Sequence, residues 1–179
     1  KSMDCKTHVD GARIFNAAIA TGVDVARMCQ AYDSVSICFS KGLGAPVGSL
    51  LVGSSEFIAR AHRWRKMFGG GWRQAGLLAA GCLYALDHHV ERLEEDHERA
   101  RYIAKELNSL DAFSVDLDTV QTNMVYVECK RPAAEVAATL AASGIDVFDI
   151  SPTHVRIVIH LHITDDDVQR LIDVCTSEF

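Results

Sequence analysis

No stretch of this chain holds the roughly 18 to 20 consecutive apolar residues that a bilayer span requires. Cys-x-x-Cys pairs, a Gly-x-Gly-x-x-Gly run, internal repeats and low-complexity segments are also lacking. The first absence excludes a helical membrane span. The opening Lys1-Ser-Met-Asp-Cys-Lys6 has no apolar h-region, so a secretory signal is not expected there. The six cysteines (Cys5, Cys29, Cys38, Cys82, Cys129, Cys175) are scattered. They read as reduced, mostly buried thiols of a cytoplasmic protein, not as a disulfide framework or a zinc site. The glycines after Lys41 run Gly42-Leu-Gly44 and then Gly48, which does not support a dinucleotide site.

Charge of one sign is scarce too. The net charge is −6, and the one dense basic stretch, Arg60 to Lys66, reads as one face of a helix. Nucleic acid is therefore not the expected partner. His160-x-His162 puts two imidazoles on one face of a strand, but no third ligand stands nearby, so no metal is expected. His88, His89 and His97 fall on a charge-rich helix and read as solvated. Between Glu91 and Arg101 opposite signs recur at three- and four-residue steps, the spacing of ion pairs along a helix face.

What the chain has is apolar residues, 49% over 179 positions, enough for one domain or two small ones. Its first half alternates short strands with helices, which argues for an α/β layer structure. Strands are expected at 6–10, 34–39 and 47–52, and helices at 12–20 (ended by Gly22), 25–30 and 54–67, with Ser54 as N-cap. A long helix is expected from Gln74 to Leu107. The second half predicts a βαββα unit. It has strands at 124–128, 147–150 and 154–161 and helices at 133–142 and 164–174, with Pro132 in the first turn of the former.

Chemistry enters with Lys41, at the exit of the apolar strand 34–39 and before a glycine-rich turn. A lysine held there is expected to be partly desolvated, which favours the neutral amine that a Schiff-base lysine needs. The other reading is a lysine that caps the strand and snorkels to water. Thirty-one residues upstream, Thr7-His-Val-Asp-Gly-Ala-Arg13 ends a strand on Asp10. A carboxylate so placed can keep a pyridine nitrogen protonated, as pyridoxal phosphate (PLP) chemistry requires. It could instead cap the next helix. Arg13 follows closely enough to aim a planar cation into the same pocket.

His8-Val-Asp-Gly-Ala-Arg-Ile-Phe-Asn-Ala17, Ser40-Lys-Gly-Leu-Gly-Ala-Pro-Val-Gly-Ser49, Lys66-Met-Phe-Gly-Gly-Gly-Trp-Arg-Gln-Ala-Gly76 and Val155-Arg-Ile-Val-Ile-His160 together resemble the low-specificity threonine aldolases. These are PLP enzymes of the aspartate-aminotransferase-like fold, related to the aromatic β-eliminating lyases. The resemblance implies fold type I, with a partial large domain over 1–95 and an α+β small domain over 96–179. It implies cleavage of L-threonine or L-allo-threonine to glycine and acetaldehyde, with a homo-oligomer as the assembly. Lys41 would carry PLP and Asp10 would face its ring nitrogen. Arg13 would lie near the cofactor or the substrate carboxylate. Arg156, a cation in an otherwise apolar strand, would clamp that carboxylate; a structural ion pair is its alternative. Ser40 and Arg73 are candidates for the phosphate, Arg73 with the backbone of Gly69-Gly70-Gly71; a strand end and a plain turn are the alternatives. The resemblance also implies that the chain is the C-terminal half of such an enzyme. The N-terminal half, its partner, would then bring the main phosphate-binding turn and the residue that stacks on the ring. Other PLP reactions, β-elimination or transamination, remain open, as does a non-catalytic fragment serving as an assembly partner.

Overall fold

The structure, a computed structural model, describes residues 5–179; residues 1–4, within the opening stretch where no secretory signal is expected, lie outside them. The chain divides into two compact units, 1–91 and 92–179.

In the first unit, β1 (His8–Gly11) is followed by α1 (Ile14–Thr21), α2 (Val25–Cys29), β2 (Ser34–Cys38), β3 (Ser49–Gly53), α3 (Ser55–Met67) and α4 (Gly76–His88). The sheet order is β1-β2-β3, with β1 parallel and β3 antiparallel to β2. α1 stops at Gly22, whose φ of 66° takes the left-handed conformation that ends helices. Asp24 caps α2 through the backbone N–H groups of Ala26 and Arg27. Ser54 caps α3 through that of Phe57, as its sequence position implies. Val35, Ile37 and Phe39 alternate as buried positions, and Ile14, Leu43, Ala45 and Ala85 of this unit are buried as well.

The second unit runs α5 (Leu93–Asn108), β4 (Phe113–Ser114), β5 (Met124–Cys129), α6 (Ala133–Ala142), β6 (Phe148–Ser151), β7 (His154–Val158) and α7 (Asp165–Glu178). Its antiparallel sheet has the order β4-β5-β7-β6. One face of that sheet, through Val125, Val127, Val155 and Ile157, packs with residues of α5, α6 and α7 in the main core.

Four expectations need correction here. The single helix from Gln74 to Leu107 is two helices, broken at 89–92. The acids Glu94, Glu95 and Asp96 occupy the first turn of α5, where negative charge complements the helix dipole, so they mark a new start and not a mid-helix face. The pairs within that face do form: Arg92 forks onto Asp96 at 2.6 and 3.3 Å, and Arg99 reaches Glu95 at 3.5 Å. His97 is fully buried, not solvated, and its burial lowers its pKa. His89 is half-buried and bonded to the Leu43 carbonyl at 2.7 Å. Pro132 is the N-cap of α6, one residue outside its first turn.

Thr164 starts α7 with a reciprocal capping box: its hydroxyl accepts from the Asp167 N–H, and the Asp167 carboxylate accepts from the Thr164 N–H. Backbone and hydroxyl bonds from Thr164 hold the Asp167 carboxyl below its ordinary range. A depressed carboxyl stabilises above its unfolded range and loses that contribution as the pH falls through its folded value. By removing the N-cap hydroxyl, Thr164→Ala should cost about 1 kcal/mol in urea unfolding at neutral pH. The penalty should shrink once the medium is acid enough to protonate Asp167. A cost that does not change with pH would refute the pairing.

Candidate active site

Because β1 and β2 run parallel, their C-terminal ends open at the same edge of the sheet, the edge where α/β folds place ligands. Asp10 lies opposite Ser36 in that register, and Cys38 opposite Ser49 on β3. These strand ends and the following turn form a hollow of about 220 Å³, lined by Asp10, Ala12, Ser36, Ile37, Cys38, Lys41 and Ser49. The 31-residue gap between Asp10 and Lys41 thus closes into one site.

Local geometry explains both flanking glycines. A Cβ on Gly11 would stand 2.9 Å from the Ser36 carbonyl oxygen and 3.0 Å from Val35 Cγ1, so only glycine lets β1 leave Asp10 so close to β2. The Lys41 carbonyl accepts from the Gly44 N–H at 2.9 Å, closing a turn whose last residue has φ 70°. Ala45 N–H then bonds back to the Phe39 carbonyl at 3.0 Å. Lys41 is thereby fixed at its backbone, but its side chain is exposed. The expected desolvation is not found: β2 ends at Cys38, and the lysine sits in the turn beyond the apolar strand.

Asp10 accepts from the Ala12 N–H through Oδ1 at 3.1 Å. That bond turns the chain without capping α1, which begins at Ile14 with Arg13 at its N-cap position. Arg13 is half-buried and outside the hollow's lining; its Nε is buried with no hydrogen-bond partner among the described residues. Ser40 is exposed, with Oγ 3.3 Å from Cys38 Sγ. Arg73 is exposed and lines a different hollow, formed by residues 69–74. Arg156 belongs to the second unit, on β7, half-buried, and its guanidinium carbon lies 5.1 Å from the Phe148 ring centre. Among the described residues Arg156 forms no ion pair, and its Nε, too, is buried without a hydrogen-bond partner.

Cys38 escaped the sequence reading, which counted it among the reduced, mostly buried thiols. All six cysteines are free, but only Cys129 and Cys175 are buried. At Cys38 burial pushes the thiol up. Hydrogen bonds with Ser40 and Ser49 and the charge of Lys41 outweigh it and hold the thiol below its ordinary range. Burial raises Cys129, and pushes Cys175 up to about 12. Iodoacetamide at mildly alkaline pH should therefore label Cys38 well before those two in the native protein. Peptide mapping against time tests the order, and equal rates would refute it.

An amine and a carboxylate converging on one open hollow fit a ring that carries an aldehyde and a basic nitrogen. No group of three or more His, Cys, Asp or Glu able to hold a metal occurs among the described residues. None of the described helices is long and apolar enough to cross a membrane. The profile of the beta-eliminating lyase family matches residues 1–130. The chain belongs to that family.

Two of its curated relatives carry threonine aldolase names. A low-specificity L-threonine aldolase of Escherichia coli strain K12 is 46% identical over 165 residues, 92% of this chain and 48% of the relative. Low-specificity L-threonine aldolase 1 of Arabidopsis thaliana is 44% identical over 167 residues, 91% of this chain and 47% of its own length. This beta-eliminating lyase chain thus spans about half the length of the curated relatives it matches. Among solved structures, a Listeria monocytogenes protein provisionally named an L-allo-threonine aldolase superposes with TM-score 0.79 at 20% identity, over 96% of this chain and 52% of that one. L-threonine-O-3-phosphate decarboxylase of Porphyromonas gingivalis gives 0.70 at 16% identity, over 95% and 54%. The fold is therefore the type I, PLP-dependent transferase architecture, of which this chain forms a part.

Proposed function

We propose that this chain carries the cofactor lysine, the ring-nitrogen partner and the carboxylate clamp of a PLP-dependent threonine aldolase. The reaction is cleavage of L-threonine and L-allo-threonine to glycine and acetaldehyde. The observation that carries the reading is the parallel register that brings Asp10 and Lys41 to one hollow. The aldolase names of relatives at 44 and 46% identity support it.

Bound PLP supplies the electron sink for the pair left on Cα when the Cα–Cβ bond breaks. Lys41 Nζ would hold the cofactor through its aldehyde, and the amine, when free, could move a proton. Asp10, oriented by the Ala12 N–H on Oδ1, would hold a proton on the ring nitrogen through its carboxylate charge. Arg156 offers the planar fork that a carboxylate accepts in bidentate fashion, with Arg13 as a second cation toward the cofactor or that carboxylate. Ser40 and Arg73 are assigned to the phosphate.

On this reading residues 1–95 are part of the PLP-binding domain and 96–179 the small C-terminal domain. The working enzyme is a cytoplasmic homo-oligomer that includes the remaining length seen in its relatives. Product analysis on the complete, PLP-loaded protein with threonine, allo-threonine and serine tests the reaction. Acetaldehyde and glycine from the first two are expected. Pyruvate and ammonia from serine as the main products would replace aldol cleavage with β-elimination.

A further inference from the structure

The second sheet has a face that its core does not use. Tyr126 on β5, Arg156 on β7 and Phe148 on β6 lie in one row across it, each strand in register with the next. Facing residues on antiparallel strands stand about 4.5 to 5.5 Å apart, so the backbone itself sets this row. Phe148 is 60% exposed, and all four residues of β6 are exposed. The opposite face, with Val125, Val127, Val155 and Ile157, already supplies the sheet's contribution to the core. The Phe148 ring is therefore not needed to bury this unit's apolar surface. What it does meet is Arg156, whose guanidinium carbon lies 5.1 Å from the ring centre.

A guanidinium at that distance is attracted by the ring's quadrupole and loses freedom to swing. The Nε edge of Arg156 is also closed: that nitrogen is buried, with no hydrogen-bond partner among the described residues. A ligand carboxylate cannot reach Nε without moving the side chain, whereas the two terminal nitrogens are not so enclosed. We propose that Phe148 is a positioning residue for Arg156, holding the guanidinium so that its Nη1–Nη2 fork meets the substrate α-carboxylate end-on. The proposal rests on the reading of Arg156 as the carboxylate clamp.

The test compares Phe148→Leu, Phe148→Tyr and Arg156→Lys in the complete, PLP-loaded protein. It measures kcat and KM for threonine, and inhibition by glycine and by glycinamide, which lacks the carboxylate. Phe148→Leu should weaken glycine binding roughly three- to tenfold, the range of a lost cation–π contact, and raise the KM for threonine in step. Its kcat should change by less than about twofold, since the loss falls on ground-state binding. Its inhibition by glycinamide and its melting temperature should stay as in the parent protein, and Phe148→Tyr should restore glycine binding. Unchanged glycine binding in Phe148→Leu, with Arg156→Lys impaired, overturns the positioning role alone. So does equal loss of glycine and glycinamide, which marks general damage. Unchanged glycine binding in Arg156→Lys removes the clamp reading and this proposal with it. If the leucine variant does not fold, Phe148→Met takes its place with the same criteria.

Discussion

Borohydride reduction of the PLP-loaded protein is expected to leave the pyridoxyl group on Lys41 and on no other lysine. Placement, and not burial of the amine, favours Lys41, which is exposed. The turn closed by the Gly44 N–H fixes the Lys41 backbone, and the hollow it borders also contains Asp10. Lys66, the other lysine near a glycine turn, lies at the end of α3 and outside that hollow. Peptide mapping by mass decides between them, and label on Lys66 or on no lysine would overturn the assignment. Lys41→Ala removes both the cofactor's attachment point and a proton carrier. A lost proton carrier alone typically costs 10²- to 10⁴-fold, so turnover should fall by roughly that factor or more.

How much of this was readable beforehand follows from the range of the forces involved. Caps are local, so Gly22, Ser54 and Thr164 mark helix ends from sequence alone, and the structure uses each of them there. The break at 89–92 was missed because Glu94, Glu95 and Asp96 satisfy two local rules at once, the acidic first turn of a helix and a mid-helix run of ion pairs. His97 shows the limit of reading charge as exposure: six of its α5 neighbours, from Leu93 to Leu107, are buried on the same helix, and it goes in with them. The strand that carries Asp10 and the strand that precedes Lys41 were legible as short apolar runs broken by glycine. The hollow that joins them was not, because it depends on register. The same holds for Phe148. Nothing in the run Phe148-Asp-Ile-Ser151 says which residue of β7 it faces, and only the strand pairing sets that ring against Arg156.

Arg156→Lys is the second large expected effect. The substitution keeps one positive charge but replaces a planar fork by a point donor. Two parallel charge-assisted hydrogen bonds to the α-carboxylate become one, a loss on the order of 1.5 to 3 kcal/mol, or about 10- to 100-fold in glycine or threonine binding. PLP itself should still bind, because Lys41 and Asp10 are untouched, and the cofactor's absorbance on loading reports that directly. A structural role predicts the reverse pattern. In an ion-paired strand arginine, lysine could keep the pair and leave substrate binding near normal, whereas an uncompensated cation would lower the melting temperature first. Arg156 makes no such pair among the described residues, and its Nε has no hydrogen-bond partner there. Among the described residues, then, no internal carboxylate serves it. Full substrate affinity in the lysine variant, or unfolding before any loss of affinity, would return Arg156 to the sheet as a structural residue. Weakened binding in a protein that still folds and still takes up PLP would leave it a single task, the recognition of a carboxylate brought in by the substrate.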